Sequence, residues 1–249
     1  MKQQLFGAML TAAAVAAGAL LSSCGLFRDT ADSVFDDCED AIASDRTASK
    51  IESAEFRYEF GEDGGTSQIR FKSPDRVRID VLDGERSMVF CRNRETGWMF
   101  IGGEVINMTA EDIAQMYAAL LQTIPYDVNF QDIFGNAELQ IEPEFVCGEE
   151  CNVISANFRR KPEVAVKLWF GMDSDLLRQF EVDREDGVHT MQYFGYRIFD
   201  DGVTLPAHLY RFSPEGASKL TLISFEANPD IPDYVFRKPS RLSDMKGSE

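Results

Sequence analysis

The stretch RFKSPDRVRIDVLDG, residues 70–84, decides the kind of fold that this chain adopts. Apolar and charged residues alternate over 76–81, which places the apolar side chains on one face of a β-strand. Pro74-Asp75 interrupts the chain before this strand, and Asp83-Gly84 after it is a strong signal for a tight hairpin turn. The stretch therefore predicts antiparallel strands with one apolar face and one charged face.

The same alternation recurs on both sides of this stretch, and short turns join one strand to the next. The first half of the chain carries it at 54–60, 68–72, 87–92 and 98–103. After a helical interval, it returns at 138–146, 152–160, 163–171, 176–184, 188–199, 205–213 and 218–227. Because short turns cannot make parallel crossovers, the sequence predicts one antiparallel sheet of about eleven strands rather than a chain of βαβ units.

Two or three helices interrupt the strands. Residues 34–50 carry apolar side chains at positions i, i+4 and i+8 of a helix. Thr109 followed by Asp112 predicts the capping box of a second helix, and FQDIFGN (130–136) indicates a short helical turn. The second helix carries an apolar stripe that we expect to act as a lid, formed by Ile113, Met116, Tyr117 and Leu120.

These helices are too few to cover one apolar face of so large a sheet. Either the sheet closes on itself around an aromatic core, or it forms a strongly curved, incomplete barrel (mainly β with α, α+β) whose helices cover an apolar hollow. A hollow of this kind suits the acyl chain of a lipid. The apolar faces of the strands predict its lining as Phe56, Tyr58, Ile69, Phe71, Val77, Ile79, Phe90, Trp98, Phe100, Leu168, Phe170, Phe180, Tyr196 and Phe212.

The N-terminus has the pattern of an export signal. Lys2 is followed by an uncharged apolar run over 5–21 and by small residues, which is typical of a secretory signal peptide of residues 1–23. Leu21-Ser22-Ser23-Cys24 resembles a bacterial lipobox, which implies diacylglyceryl attachment and N-acylation at Cys24. Gly25 then favours the outer membrane over the inner one. An ordinary signal peptide is the alternative.

The mature chain divides into three parts on this interpretation. Residues 24–33 form a lipidated tether, 34–240 a half-barrel domain and 241–249 a flexible tail. No internal repeat or linker divides the domain.

The remaining cysteines, Cys38, Cys91, Cys147 and Cys151, are even in number, which in an exported chain suggests disulfides. Cys147 and Cys151 flank a polar turn and predict a bridge across a hairpin; Cys38 with Cys91 would then form a second bridge. A zinc site is the alternative, but only one close cysteine pair is present and neither histidine is spaced with it.

Charge and motifs argue against other classes of protein. The formal net charge of −17 disfavours nucleic acid and a basic membrane-binding patch, so membrane contact is expected through the lipid. The chain has no G-x-S-x-G elbow, P-loop or G-x-G-x-x-G motif, and we expect neither an enzyme nor a cofactor. Arg76 and Arg78 are expected to point to solvent; the alternative is that one contacts a headgroup phosphate.

The order of motifs resembles the LolA/LolB-like lipoprotein-sorting family over residues 50–240. The resemblance rests on RFKSPDRVRIDVLDG, GWMFIGG, FQDIFGN, GEECNVISANF, LPAHLYRFSPEG and ANPDIPDYVFRKP. It implies an incomplete barrel closed by helices around a cavity for lipid tails.

The resemblance also implies a function and its partners. The expected function is binding of lipid or lipoprotein acyl chains at the periplasmic face of the outer membrane, with a periplasmic carrier or a membrane protein as partner. The alternatives are an interaction scaffold with a filled core and an envelope stress sensor.

Overall fold

One antiparallel sheet organises the computed structural model of this chain. The described residues are 30–44, 47, 50–61, 64–73, 75–109, 112–113, 116, 129–159, 161–199 and 201–240. Cys24 and the predicted signal peptide lie outside them. Within the described residues, no helix has the length and apolar character needed to cross a membrane.

The first half of the sheet is a meander of six strands joined by short turns. Its strands are β1 (Ser53–Phe60), β2 (Gly65–Lys72), β3 (Arg76–Asp83), β4 (Arg86–Asn93), β5 (Thr96–Ile101) and β6 (Glu104–Asn107). Asp75 and Gly84 occupy the turns on either side of β3 with φ of 57° and 58°, the left-handed region that suits these residue types. The alternation in residues 70–84 therefore predicts this hairpin sheet correctly.

The second half of the chain forms the rest of the sheet. Its strands are β7 (Phe134–Leu139), β8 (Glu144–Val146), β9 (Glu149–Phe158), β10 (Lys161–Gly171), β11 (Leu177–Arg184), β12 (Gly187–Phe194), β15 (His208–Ser213) and β16 (Gly216–Ala227). A separate two-stranded ribbon contains β13 (Arg197–Ile198) and β14 (Thr204–Leu205).

The pairing order shows an open, incomplete barrel. It runs β6-β5-β4-β3-β2-β1-β16-β15-β12-β11-β10-β9-β7, with β8 also on β9, so the two end strands do not pair with each other. Every pairing between strands is antiparallel, as predicted. β1 and β16 join the two halves, and their register shifts between Arg57 and Tyr58.

Helix α1 (Ala31–Ile42) packs on one face of this sheet. Thr30 and Ser33 form a reciprocal capping box at its start, so the folded domain begins before residue 34. Val34, Cys38 and Ile42 are buried at the predicted helical spacing. The helix ends at Ile42, well before residue 50, and Ala43 after it is extended.

The helix that begins after Thr109 is capped as the sequence predicts. The Thr109 backbone N–H donates to Asp112 at 2.7 Å, and the Asp112 N–H donates to the Thr109 hydroxyl at 3.2 Å. The Thr109 N–H and hydroxyl both donate to the Asp112 carboxylate and lower its pKa. The short helix α2 (Phe130–Ile133) follows; Gly135 does not end it, because β7 already begins at Phe134.

The two faces of the sheet are covered by different segments. We call the face under helix α1 the inner face; Phe56, Ile69 and Leu168 lie on it. The opposite, outer face is covered along β3–β5 by the C-terminal strap, residues 229–238, which contains a 3-10 helix (Asp233–Phe236). The Trp98 indole N–H donates to the carbonyl of Phe236 at 3.3 Å.

The structure contains neither predicted disulfide: the four described cysteines are free. Cys38 is buried in the inner cluster, whereas Cys91 lies in the outer cluster under the strap, so the sheet separates them. Cys147 is the first residue of the two-residue turn between β8 and β9, with φ of 51°, and Cys151 pairs across the ladder with Glu144. The hairpin therefore closes without a bond between its cysteines.

Candidate functional site

An apolar row crosses the inner face of the first half of the sheet. The ladder register aligns one residue from each of five consecutive strands; these are Ile69, Ile79, Phe90, Met99 and Ile106. Ile69 is 3% exposed, the next three are half-buried, and Ile106 at the open edge is 43% exposed. At about 4.8 Å between strands, the row is roughly 19 Å long and becomes more accessible toward the edge of the sheet.

The start of the second helix lies beside this row. A Cβ at Gly97 on β5 would lie 3.1 Å from the Ile113 side chain and 3.1 Å from that of Met108, so the absence of a side chain at Gly97 favours this close approach. Met116 is buried in the inner cluster. Ile113 and Met116 of the predicted lid therefore face the sheet, while Tyr117 and Leu120 lie outside the described residues. The sequence carried a signal for this contact, Gly97 inside a strand, that the alternation pattern did not use.

The inner face under helix α1 is filled by aromatic side chains. Phe35 stacks on Phe130 at 5.3 Å between ring centroids and meets Phe170 edge to face at 5.7 Å. Phe134 continues the cluster to Phe180 at 6.2 Å. These geometries are typical of a packed aromatic core. The inner face thus has a filled half under α1 and a more accessible half along the apolar row.

Most of the residues predicted to line a hollow share the inner face. They pack in or against one cluster: Phe56, Tyr58, Ile69, Phe71, Val77, Ile79, Phe90, Leu168, Phe170, Phe180 and Tyr196. Their lining of a lipid cavity stays a prediction.

Three predicted lining residues lie on the outer face instead. Trp98 pairs with Cys91 and packs under the strap, and Phe100 packs against the same outer cluster. Phe212 pairs with Thr190, whose neighbour Met191 is buried in the inner cluster, and is 41% exposed on the other side. For Trp98 and Phe100 the cause is that β5 is apolar on both faces, so its alternation does not identify the inner one.

Arg78 does not point to solvent. It is 7% exposed, donates to both oxygens of the Asp80 carboxylate at 2.7–3.0 Å, and donates to the Val235 carbonyl at 2.8 Å. Its guanidinium carbon also lies 5.7 Å from the Trp98 ring centroid. Through these partners Arg78 helps to attach the strap to the sheet. Its guanidinium has no free pair of N–H donors for the phosphate of a lipid headgroup.

Polar groups inside the inner face are neutral. Burial raises the pKa of the Cys38 thiol and of the Tyr58, Tyr193 and Tyr196 hydroxyls. The Tyr196 hydroxyl donates to the Leu177 carbonyl at 2.6 Å. At these four positions, an apolar ligand on the inner face would therefore meet uncharged side chains.

Two pockets lined by described residues open on the outer face. The larger, about 410 Å³, has a mixed lining that includes Glu138, Glu181 and Asp183. The other, about 280 Å³, lies between β3, β4 and the strap. Both lie on the face opposite the apolar row and contain charged side chains, so neither is the predicted lipid site. Among the described residues, no group of three or more His, Cys, Asp or Glu side chains is placed to hold a metal ion.

Comparison with known proteins identifies the fold but no family by sequence. No protein-family model and no curated protein matches the sequence. A LolA superfamily protein from Nitrosomonas europaea is similar in structure, with a TM-score of 0.59 and 16% identity, over 85% of this chain and 99% of that one. A putative outer membrane lipoprotein-sorting protein domain from Vibrio parahaemolyticus is also similar in structure. Its TM-score is 0.51 and its sequence identity 8%, over 82% of this chain and 97% of that one. The chain therefore has a LolA-like fold.

Proposed function

We propose that this protein is a lipoprotein of the bacterial envelope that binds acyl chains of lipids or lipoproteins along the apolar row of its inner face. The observation that carries the proposal is the row itself: five aligned apolar side chains that run from the core to an open sheet edge and become more exposed along the way. The LolA-like fold supports the same function by analogy, because one protein of similar structure is described as a putative outer membrane lipoprotein-sorting protein domain.

The energy available from the row is sufficient for reversible binding. Burial of apolar surface contributes about 25 cal/mol per Å². Burial of a few hundred Å² of the acyl chain and the apolar row therefore supplies several kcal/mol. Ile113 and Met116, from the helix that begins after Thr109, face the inner face of the sheet near the row. We infer that an acyl chain lies along the row beside these two side chains.

Attachment at Cys24 would hold the protein on a membrane. The sequence between Cys24 and the first described residue, Thr30, is short, at most about 20 Å when fully extended. A diacylglyceryl group with a further acyl chain anchors durably, whereas one chain does not. The outer membrane is the proposed location because of Gly25.

The test of acyl binding uses the chain without residues 1–23 and with Cys24→Ser. We expect co-purifying lipid in an organic extract by mass spectrometry, and saturable uptake of a fluorescent fatty acid. Phe90→Glu places a charge in the row and should weaken uptake at least tenfold. Phe212→Glu makes the same change on the outer face and serves as the matched control.

Equal uptake by both variants would contradict binding along the row, and the absence of lipid and uptake in the parent chain would contradict acyl binding altogether. In that case the filled aromatic half under α1 favours the second candidate, an interaction scaffold whose interior is closed. Crosslinking in cells would then capture a protein partner without any response to apolar probes.

Anchoring is tested separately on the full chain. Intact protein should fractionate with membranes and carry the mass of three acyl groups at Cys24 after signal cleavage. Cys24→Ser should release it into the soluble fraction. A soluble parent chain would contradict the anchor without affecting the acyl-binding test.

A further inference from the structure

The smaller outer pocket is basic although the protein is strongly acidic. Its volume is about 280 Å³, and its lining is Arg76, Asn93, Arg94, Asp233 and Arg237. Three guanidinium groups thus face one carboxylate in a chain whose net charge is −17. Lys72 also reaches this region, because its ammonium lies 2.7 Å from Asp233. A concentration of positive charge here is not explained by the overall composition.

One arginine of the pocket is fixed in place. Arg76 pairs with Asp233 at 2.8 Å, donates to the Ser73 carbonyl at 2.9 Å, and places its guanidinium 5.9 Å from the Phe236 ring centroid. Its Nε–H is buried and has no hydrogen-bond acceptor. A buried donor without a partner destabilises the folded protein, and a nearby anion would offset that cost.

The other two arginines are exposed and unpaired among the described residues. Arg94 lies in the turn between β4 and β5 with φ of 58°, where only its backbone groups are engaged. Arg237 follows the 3-10 helix, and its backbone N–H bonds to the Tyr234 carbonyl. Both side chains line the pocket without a carboxylate partner of their own. The planar guanidinium groups of Arg94 and Arg237 are therefore available to donate hydrogen bonds to a ligand.

We propose that this pocket binds a phosphate group, carried either by a lipid headgroup or by a small soluble molecule. Arginine forks match phosphate oxygens with paired hydrogen bonds, and several together neutralise a dianion. The pocket holds roughly nine waters at about 30 Å³ each, which exceeds the room that one phosphate group requires. The site is on the outer face, so it does not depend on acyl binding at the inner face.

The test titrates the full chain, in a zwitterionic detergent, with inorganic phosphate by calorimetry. R94A/R237A should weaken binding at least tenfold. R86A/R211A removes the same charge from exposed arginines elsewhere on the sheet and should bind as the parent does. No binding by the parent, or equal binding by R94A/R237A, would overturn the proposal.

A second titration identifies the source of the phosphate. Dihexanoyl phosphatidic acid is used below its micelle concentration, beside inorganic phosphate. Tighter binding of the lipid assigns a headgroup; equal or weaker binding assigns a soluble phosphate, and either supports the site. Uptake of the fluorescent fatty acid should be unchanged in R94A/R237A. A parallel loss of both activities would contradict two separate sites.

Discussion

Arg78 shows how a single residue connects the sheet to the strap. Its guanidinium spans Asp80 on its own strand and the Val235 carbonyl on the strap, in a position that is 7% exposed. Sequence alternation places Arg78 on the polar face of β3, which is correct. It cannot show that this face is covered, because the cover comes from residues more than 150 positions away.

We predict that Arg78→Ala destabilises the protein by about 3 kcal/mol, because it leaves Asp80 and the Val235 carbonyl without their main partner. The free energy of unfolding is measured by urea denaturation. Arg57→Ala is the control, since its side chain is 61% exposed and its pair with Glu55 should contribute less than about 1 kcal/mol. Equal effects of the two substitutions would contradict a buried role for Arg78.

The cysteines give a second test at this scale. Burial raises the pKa of Cys91 to about 12 and of Cys151 to about 11, so both thiols stay protonated and unreactive near neutral pH. We expect the Cys24→Ser chain to resist iodoacetamide at the buried Cys38, Cys91 and Cys151 when folded, and to take up four labels when unfolded without reductant. Fewer than four labels by mass spectrometry would indicate a disulfide.

At the scale of elements, strands were predictable because one face of each had to be apolar. The alternation around Val77 and Ile79 gives both the strand and its inner face. In β5, Gly97 and Met99 face inward while Trp98 and Phe100 face the strap, so both sets have apolar cover. The strap itself is rich in proline and has no period, so its sequence does not predict that it covers anything.

The sequence pattern of helix α1 also predicts only part of its structure. Its apolar spacing predicts the buried side, but the pattern does not fix where the helix stops. Helix α1 packs against β14, in which Leu205 is fully buried, so tertiary packing accounts for its buried side. The helix ends where Ala43 becomes extended, a position that the apolar spacing does not predict.

The strap should loosen in acid. Hydrogen bonds and charges from Lys72 and Arg76 lower the pKa of Asp233 below its ordinary value of 3.8. Because the pKa is lower in the folded state, this carboxylate stabilises the strap fully above pH 3.8 and ceases to do so as pH falls through the lower folded value. Trp98 lies under the strap and reports its release.

We therefore expect a red shift of Trp98 fluorescence below pH 3.8 in a Trp169→Phe background, before the sheet unfolds by circular dichroism. Asp233→Asn cannot titrate, so its Trp98 signal should lack this step. The same step in Asp233→Asn would show that another group holds the strap.

The whole molecule depends on one seam. β1 pairs with β16 along most of its length, including Phe56 with Phe225 and Tyr58 with Leu222, and this pairing joins the N-terminal meander to the C-terminal strands. The partners are more than 150 residues apart in sequence, so closing the seam orders a long intervening chain. Local patterns predict each half, while the seam is a property of the complete chain.

We predict that the two halves unfold together because of this seam. Each half contains one of the two tryptophans, Trp98 in the meander and Trp169 in the C-terminal strands. Urea transitions followed in Trp98→Phe and Trp169→Phe proteins should share one midpoint after correction for each substitution.

Leu222→Asp introduces a charge at a 2% exposed position of the seam and should lower both midpoints equally. Ile223→Asp is the control; it lies at a 49% exposed position and should change neither midpoint appreciably. Midpoints that separate, or a Leu222→Asp effect confined to one tryptophan, would show that the halves are independent units.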